Sequence, residues 1–189
     1  MDDSMERVHE TIEEHAHHRE PRARGIAILV SLLAAVMAMA EIGGKASQTE
    51  YLTHHVALSN EWAFYQSKNQ RAIIKGSEVD VLASLPNATD PAIQGRIKEA
   101  QDYIKRMRDD PEGGEGMKQL AATARDQEVL RDEAGHRYHL YEYAVGALEI
   151  AIVLASVSVL TRVFALAVAA AAIGVLAAAG SLGLVLGWW

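Results

Sequence analysis

Only three charged side chains, Glu41, Glu149 and Arg162, fall within residues 25–44 and 143–189 of this 189-residue chain. The rest is densely charged: residues 1–24 hold seven acids and four bases, and residues 45–142 hold sixteen acids and thirteen bases. Such segregation marks an integral membrane protein with a sizeable polar part. The net charge of −7 and the lack of a basic stripe argue against nucleic acid as a partner. With no cysteine, a disulfide framework is excluded.

Gly25 to Gly44 reads GIAILVSLLAAVMAMAEIGG, about 30 Å as a helix and so matched to a bilayer core. Tyr143 to Thr161 predicts a second span, interrupted by Glu149, and residues 163–189 a third with no charged side chain. As one helix, residues 143–189 would run roughly 70 Å, more than twice the hydrocarbon thickness. The chain must therefore turn back, and Arg162 marks the place, although SVSVLTRV contains neither Gly nor Pro. The AMA before Glu41 resembles a small-residue cleavage site, but the acidic 24-residue leader is a poor signal n-region, so an uncleaved span is expected. Arg19, Arg22 and Arg24 flank the first span, and Arg162 shares their side in a three-span fold. The positive-inside rule then puts the N-terminus in the cytoplasm and the polar middle outside. Tyr138, Tyr141, Tyr143, Trp188 and Trp189 would share one interface as an aromatic belt.

The polar middle, residues 45–142, reads as a long antiparallel helical hairpin. From Lys45 to Leu85 only Gly76 departs from a helical composition, and SLPNATDPA then breaks and restarts the helix, with Asp90 as N-cap and Pro91 at the first position. Ile93, Ile97, Ala100, Ile104 and Met107 form a heptad seam, and DDPEGGEG interrupts the helix again. The outward arm is about 60 Å and the returning segments sum to about 66 Å, which lets both ends meet the membrane. A three-helix bundle folded at residues 109–116 is the alternative. The fold class is thus all-α, three transmembrane helices with a coiled-coil-like hairpin between the first two.

The stretch Ala40 to Arg71, AEIGGKASQTEYLTHHVALSNEWAFYQSKNQR, resembles the bacterial membrane family described as domain of unknown function 4337. The likeness lies in a His-rich acidic N-terminal arm, an Ala-Glu-x-Gly-Gly span end, a Ser-Asn-x-Trp-Ala-Phe-Tyr-Gln segment and a C-terminal pair of spans. The resemblance implies the architecture and a bacterial inner-membrane setting, and it brings no activity with it.

Four constellations are candidates for function. Glu149 lies about 9 Å inside the second span and Glu41 about 5 Å inside the first, at comparable depth. An ionisable residue within a span marks a functional site by default, and the two acids could handle protons or cations. The structural alternative pairs Glu41 with Lys45 at i,i+4 and bonds Glu149 to Ser181 on the third span or to Lys45. The histidines form the second: His9, His15, His17 and His18 in the arm, and His54, His55, His136 and His139 near the ends of the hairpin. His54 and His55 point about 100° apart, so a metal site would need His55 with His136 and His139, and solvated histidines are the default. Met5, Val8 and Ile12 add only a thin apolar stripe to the arm. Trp62, Phe64 and Tyr65 form the third constellation, a core cluster or a partner-binding surface. The fourth is a pair of small-residue ladders in the last span, Ala170–Gly174–Ala178 and Ala179–Gly183–Gly187. One can pack the spans together and the other can meet another copy.

No nucleophile elbow, phosphate loop or zincin motif is present, and Arg125, Asp126, Asp132 and Glu133 read as a solvated charged face. The expectation is a non-enzyme without a cofactor or metal: a membrane-anchored helical scaffold or interaction protein, homo-oligomeric through its hairpin and small-residue spans. Its partners would be the lipid bilayer, further copies of itself and an unidentified protein on the hairpin. The alternative is an ion- or proton-conducting oligomer using Glu149 and Glu41.

Overall fold

The computed structural model describes the backbone of residues 19–187 and side chains from Ala23 to Gly187; the arm histidines and Met5, Val8, Ile12, Trp188 and Trp189 lie outside these. Among the described residues there are four helices and no strand: α1 (Arg19–Ala83), α2 (Pro91–Arg108), α3 (Met117–Thr161) and α4 (Phe164–Val185). Three of them, α1, α3 and α4, contain segments long and apolar enough to cross a membrane. The chain divides into two compact units: the first drawn from residues up to Gln48 and from His136 onward, the second Thr49–Gly135.

The first unit is packed on small side chains. Its core joins Leu33 and Ala40 of α1, Leu148, Ala151 and Ala155 of α3, and Ala170 and Ala177 of α4. Small residues let backbones approach closely where lipid offers no hydrophobic drive between helices. A Cβ added at Gly174 would run into Leu33 Cδ2. The first expected ladder therefore packs α4 against α1, with Ala170 and Gly174 buried and Ala178 half-buried. The second ladder is not one face: Gly183 is buried, Ala179 and Gly187 are exposed, and Gly187 lies beyond the end of α4. Four-residue steps advance about 400°, so a ladder that starts outward drifts inward as the helix turns.

The reversal between α3 and α4 falls at Arg162, which takes a left-handed φ of 61°. Its backbone N–H donates to Ser158 O at 2.9 Å, closing the helix end as a left-handed cap does. The buried Ser158 hydroxyl donates to Val163 O at 3.0 Å, holding the chain as it leaves the turn. Hydrogen bonding to the backbone thus does the work for which Gly or Pro would be the usual signal.

In the second unit, Asp90 caps α2 by accepting from the Ala92 N–H at 2.9 Å, with Pro91 at the first position. Lys105, Arg106 and Arg108 stand in its last turn, where the helix dipole favours cations. Ile97 and Ala100 are buried and Ile93, Ile104 and Met107 half-buried, so this seam is covered within the chain. Contacts across the unit join Tyr51 to Gly135, His54 to Gln127, Lys68 to Glu115 and Glu78 to Arg96. The break at residues 109–116 is held by Gln119, whose Nε2 donates to Asp109 Oδ1 at 2.6 Å while its Oε1 accepts from the Asp110 N–H at 3.2 Å.

Candidate functional site

The first unit carries a groove of about 340 Å³ between α1 and α3, lined by Ala40, Glu41, Gly44, Lys45 and Gln48 on one side and Tyr138, Tyr141, Glu142 and Val145 on the other. Its floor depends on two glycines. A Cβ at Gly43 would lie 2.6 Å from Tyr141 Cζ, and one at Gly44 3.3 Å from Tyr141 Cβ. The phenol ring of Tyr141, buried in the core, thus lies on bare α1 backbone. Ala-Glu-x-Gly-Gly is legible here as a contact motif: Ala40 is buried, Glu41 is exposed, and the glycines receive the ring.

The groove's polar chemistry centres on Glu142, which the sequence reading passed over. Its Oε1 accepts from Tyr138 Oη at 2.7 Å, and its Oε2 lies 2.9 Å from His139 Nδ1. The available signal was spacing, since Tyr138 and His139 stand four and three residues before it and share its side of α3. Both carboxylate oxygens are engaged by groups of its own helix. The network therefore orients these three side chains on one side of α3.

Glu41 and Lys45 both line the groove, and Glu149 does not. Glu149 is exposed and makes no hydrogen bond or ion pair among the described residues. The expected bond to Ser181 is not formed: the Ser181 Oγ is buried and has no hydrogen-bond partner among the described residues. The reason is angular. Leu148, Ala151 and Ala155 form the buried face of α3, and one residue past Leu148 the helix has turned about 100° outward. Among the described residues, no group of three or more His, Asp or Glu side chains is gathered closely enough to hold a metal ion. His54 turns inward, its Nδ1–H donating to Gln127 Oε1 at 2.8 Å, whereas His55 is exposed and stacks on Tyr51 of the same helix.

In the second unit, Trp62, Phe64 and Tyr65 do not make one patch. Trp62 is exposed and meets half-buried Tyr65 edge-on at 5.4 Å between centroids, on one side of α1. Phe64 lies on another flank, where Lys68 Nζ sits 5.2 Å from its ring centre. Lys68 is itself buried and reaches Glu115 at 3.5 Å. Two carboxylates in this unit are held below their usual range: Asp109 by hydrogen bonds from Gln119 and Lys118, and Glu78 by its hydrogen bond and charge pairing with Lys75, with Arg96 adding to it.

A sequence model of the family described as domain of unknown function 4337 matches residues 22–187. No curated protein and no solved structure matches the chain.

Proposed function

Because this chain belongs to the domain of unknown function 4337 family, we propose a function built from its geometry: a membrane-anchored helical scaffold that associates through its polar unit. The three apolar segments of α1, α3 and α4 cross the bilayer three times. The observation that carries the reading is the exposure of large apolar side chains on the polar unit, Val56 at 57%, Ile73 at 60% and Ile74 at 68% among them. Ile73 and Ile74 adjoin, and apolar side chains exposed together on a polar unit mark interaction surfaces. An antiparallel hairpin is supported by the pairs within the second unit, whose partners fall from Gly135 through Gln127 and Glu115 to Arg96 as α1 rises from Tyr51 to Glu78.

The setting is a bacterial inner membrane with the N-terminus cytoplasmic, by the arginines that flank the first span and by Arg162 at the turn of the other two. The chain acts by holding partners, without a catalytic centre or cofactor. Mass measurement of the detergent-solubilised protein tests the reading, with an oligomer expected and a strict monomer refuting it. Cysteines introduced at Glu112 and Arg162 test the topology, since they label from opposite membrane faces in a three-span hairpin. Labelling of both from one face overturns it.

A second reading, proton or cation movement through an assembly, is favoured by Glu149, a carboxylate exposed on an apolar helix with no hydrogen bond or ion pair among the described residues. Such a group costs a few kcal/mol in lipid, on the order of 3 at the bilayer centre, unless something outside the protomer meets it. Proteoliposome flux that Glu149→Gln abolishes supports this reading. Absence of flux in the unaltered protein removes it, and that is the result expected of a scaffold.

A further inference from the structure

Along α1 of the polar unit, the face turned away from the rest of that unit is built unlike a solvated surface. In a seven-residue register, Val56, Ala63, Gln70 and Ser77 share one position, and Ser59, Gln66 and Ile73 share the position three residues later. All seven are exposed. The flanking positions, which carry the charges in ordinary coiled coils, hold Trp62, Asn69, Asn60, Ser67 and Ile74 instead. Between His55 and Ser77, the charged residues Glu61, Lys68, Arg71 and Lys75 all fall on the other half of the helix. Lys68 is buried there, Glu61 and Lys75 are half-buried, and Arg71 alone of the four is exposed. A surface helix in water shows the reverse arrangement, with its charges outward. Small Ser59 and Ala63 also help open a cavity of about 380 Å³ on this face, walled by His55, Trp62 and Gln66.

We propose that this seam binds the same seam of a second copy of the chain, in parallel and in register. The inference rests on the scaffold reading and names its partner. The alternating three- and four-residue spacing specifies a helix as the occupant. Within the unit, the other helices are engaged on their own buried faces: Ile97 and Ala100 on α2, Ala124 and Ala134 on α3. Two copies inserted alike in one bilayer present α1 in the same direction, which sets each seam residue opposite its twin. A carboxylate or ammonium in that position would meet its own like charge. An amide or hydroxyl both donates and accepts, so Gln66, Gln70, Ser59 and Ser77 can each bond their own copies. The absence of charge from the seam and both flanks is the composition that homotypic pairing requires, and a partner of different sequence would impose no such condition.

The chain has no cysteine, so single introduced cysteines report the contact in the full-length protein in its membrane. Mild oxidation should link Ala63→Cys and Gln70→Cys into dimers, because facing seam positions come within disulfide reach. Phe64→Cys and Arg71→Cys, one residue further on and also exposed, should not link. In the Ala63→Cys background, Gln70→Glu and Gln70→Lys should each lower the linked fraction about tenfold, the effect of a like-charge pair worth about 1.4 kcal/mol. Coexpression of the Glu and Lys forms should restore it. Equal linkage at all four positions, linkage at none, or capture of a different protein by Ala63→Cys overturns the proposal. Mass measurement of the same samples separates the two levels: an oligomer without seam linkage leaves the scaffold standing and removes the seam, whereas a monomer removes both.

Discussion

The contact between Tyr141 and the Gly43–Gly44 step yields a prediction whose sign depends on genetic background. Adding a Cβ at Gly43 places carbon 2.6 Å from Cζ, 2.7 Å from Cε1 and 2.9 Å from Oη of Tyr141. Carbon atoms rest at about 3.5–4.0 Å, so the ring would have to retreat by about 1 Å. Tyr141 is only 6% exposed and packed in the core, which leaves it little room to do so. Overpacking of this kind costs about 1–3 kcal/mol, while exchanging Gly for Ala within a helix returns up to about 1 kcal/mol. Gly43→Ala should therefore destabilise the unaltered protein by roughly 1 kcal/mol. Tyr141→Ala alone should cost about 3–5 kcal/mol, as deletion of a large buried aromatic does. In that background the obstruction is gone, and Gly43→Ala should become stabilising by up to about 1 kcal/mol. Thermal unfolding of the four proteins in one detergent measures the coupling, expected at about 1–3 kcal/mol. Gly146→Ala serves as the control, because a Cβ there meets nothing within 4 Å. Equal shifts from Gly43→Ala in both backgrounds would show that the ring does not depend on the bare backbone.

Three further outcomes are expected. Arg162→Gly should stabilise the turn by about 1 kcal/mol, since Arg162 holds a left-handed φ of 61° that costs a residue with a Cβ roughly 1–2 kcal/mol; Arg162→Ala should bring no such gain, and equal melting of the two variants would refute the account. Ser181→Ala should stabilise by about 1 kcal/mol by removing a buried hydroxyl without a partner, and a loss of stability in the unfolding assay would show that the hydroxyl is bonded in the membrane. Asp109 is held below the usual carboxylate range by Gln119 and Lys118, so its contribution to the junction after α2 is full above the unfolded pKa and is lost as pH falls through its lowered folded value. Amide protection factors of residues 109–119, taken relative to the slower intrinsic exchange in acid, should fall as pH falls, and Asp109→Asn should flatten that dependence; an unchanged profile would remove Asp109 as its source.

The helices long and apolar enough to span a membrane, and the breaks between helices, were legible from the sequence alone because both are written locally. Hydropathy over twenty residues declares a span, and Pro91, the Asp90 cap and the glycines of residues 109–116 act on their immediate backbone. Even the Arg162 reversal followed from length, although its mechanism, Ser158 bonding Val163 O, needed the coordinates. The direction each helix faces was not legible. Spans apolar on every side give no periodicity from which to choose a buried face, so Glu149 could be placed by depth but not by direction. The tertiary structure turns it outward and leaves Ser181 without the partner expected for it. It also spends the Ile93–Met107 seam inside the chain and leaves exposed the α1 seam of Val56, Ala63 and Gln70, which looks unremarkable in sequence because its residues are mostly small and polar. A helix's periodicity shows that faces exist; only the neighbours packed against it decide which face is covered, because burial belongs to pairs of elements and not to one.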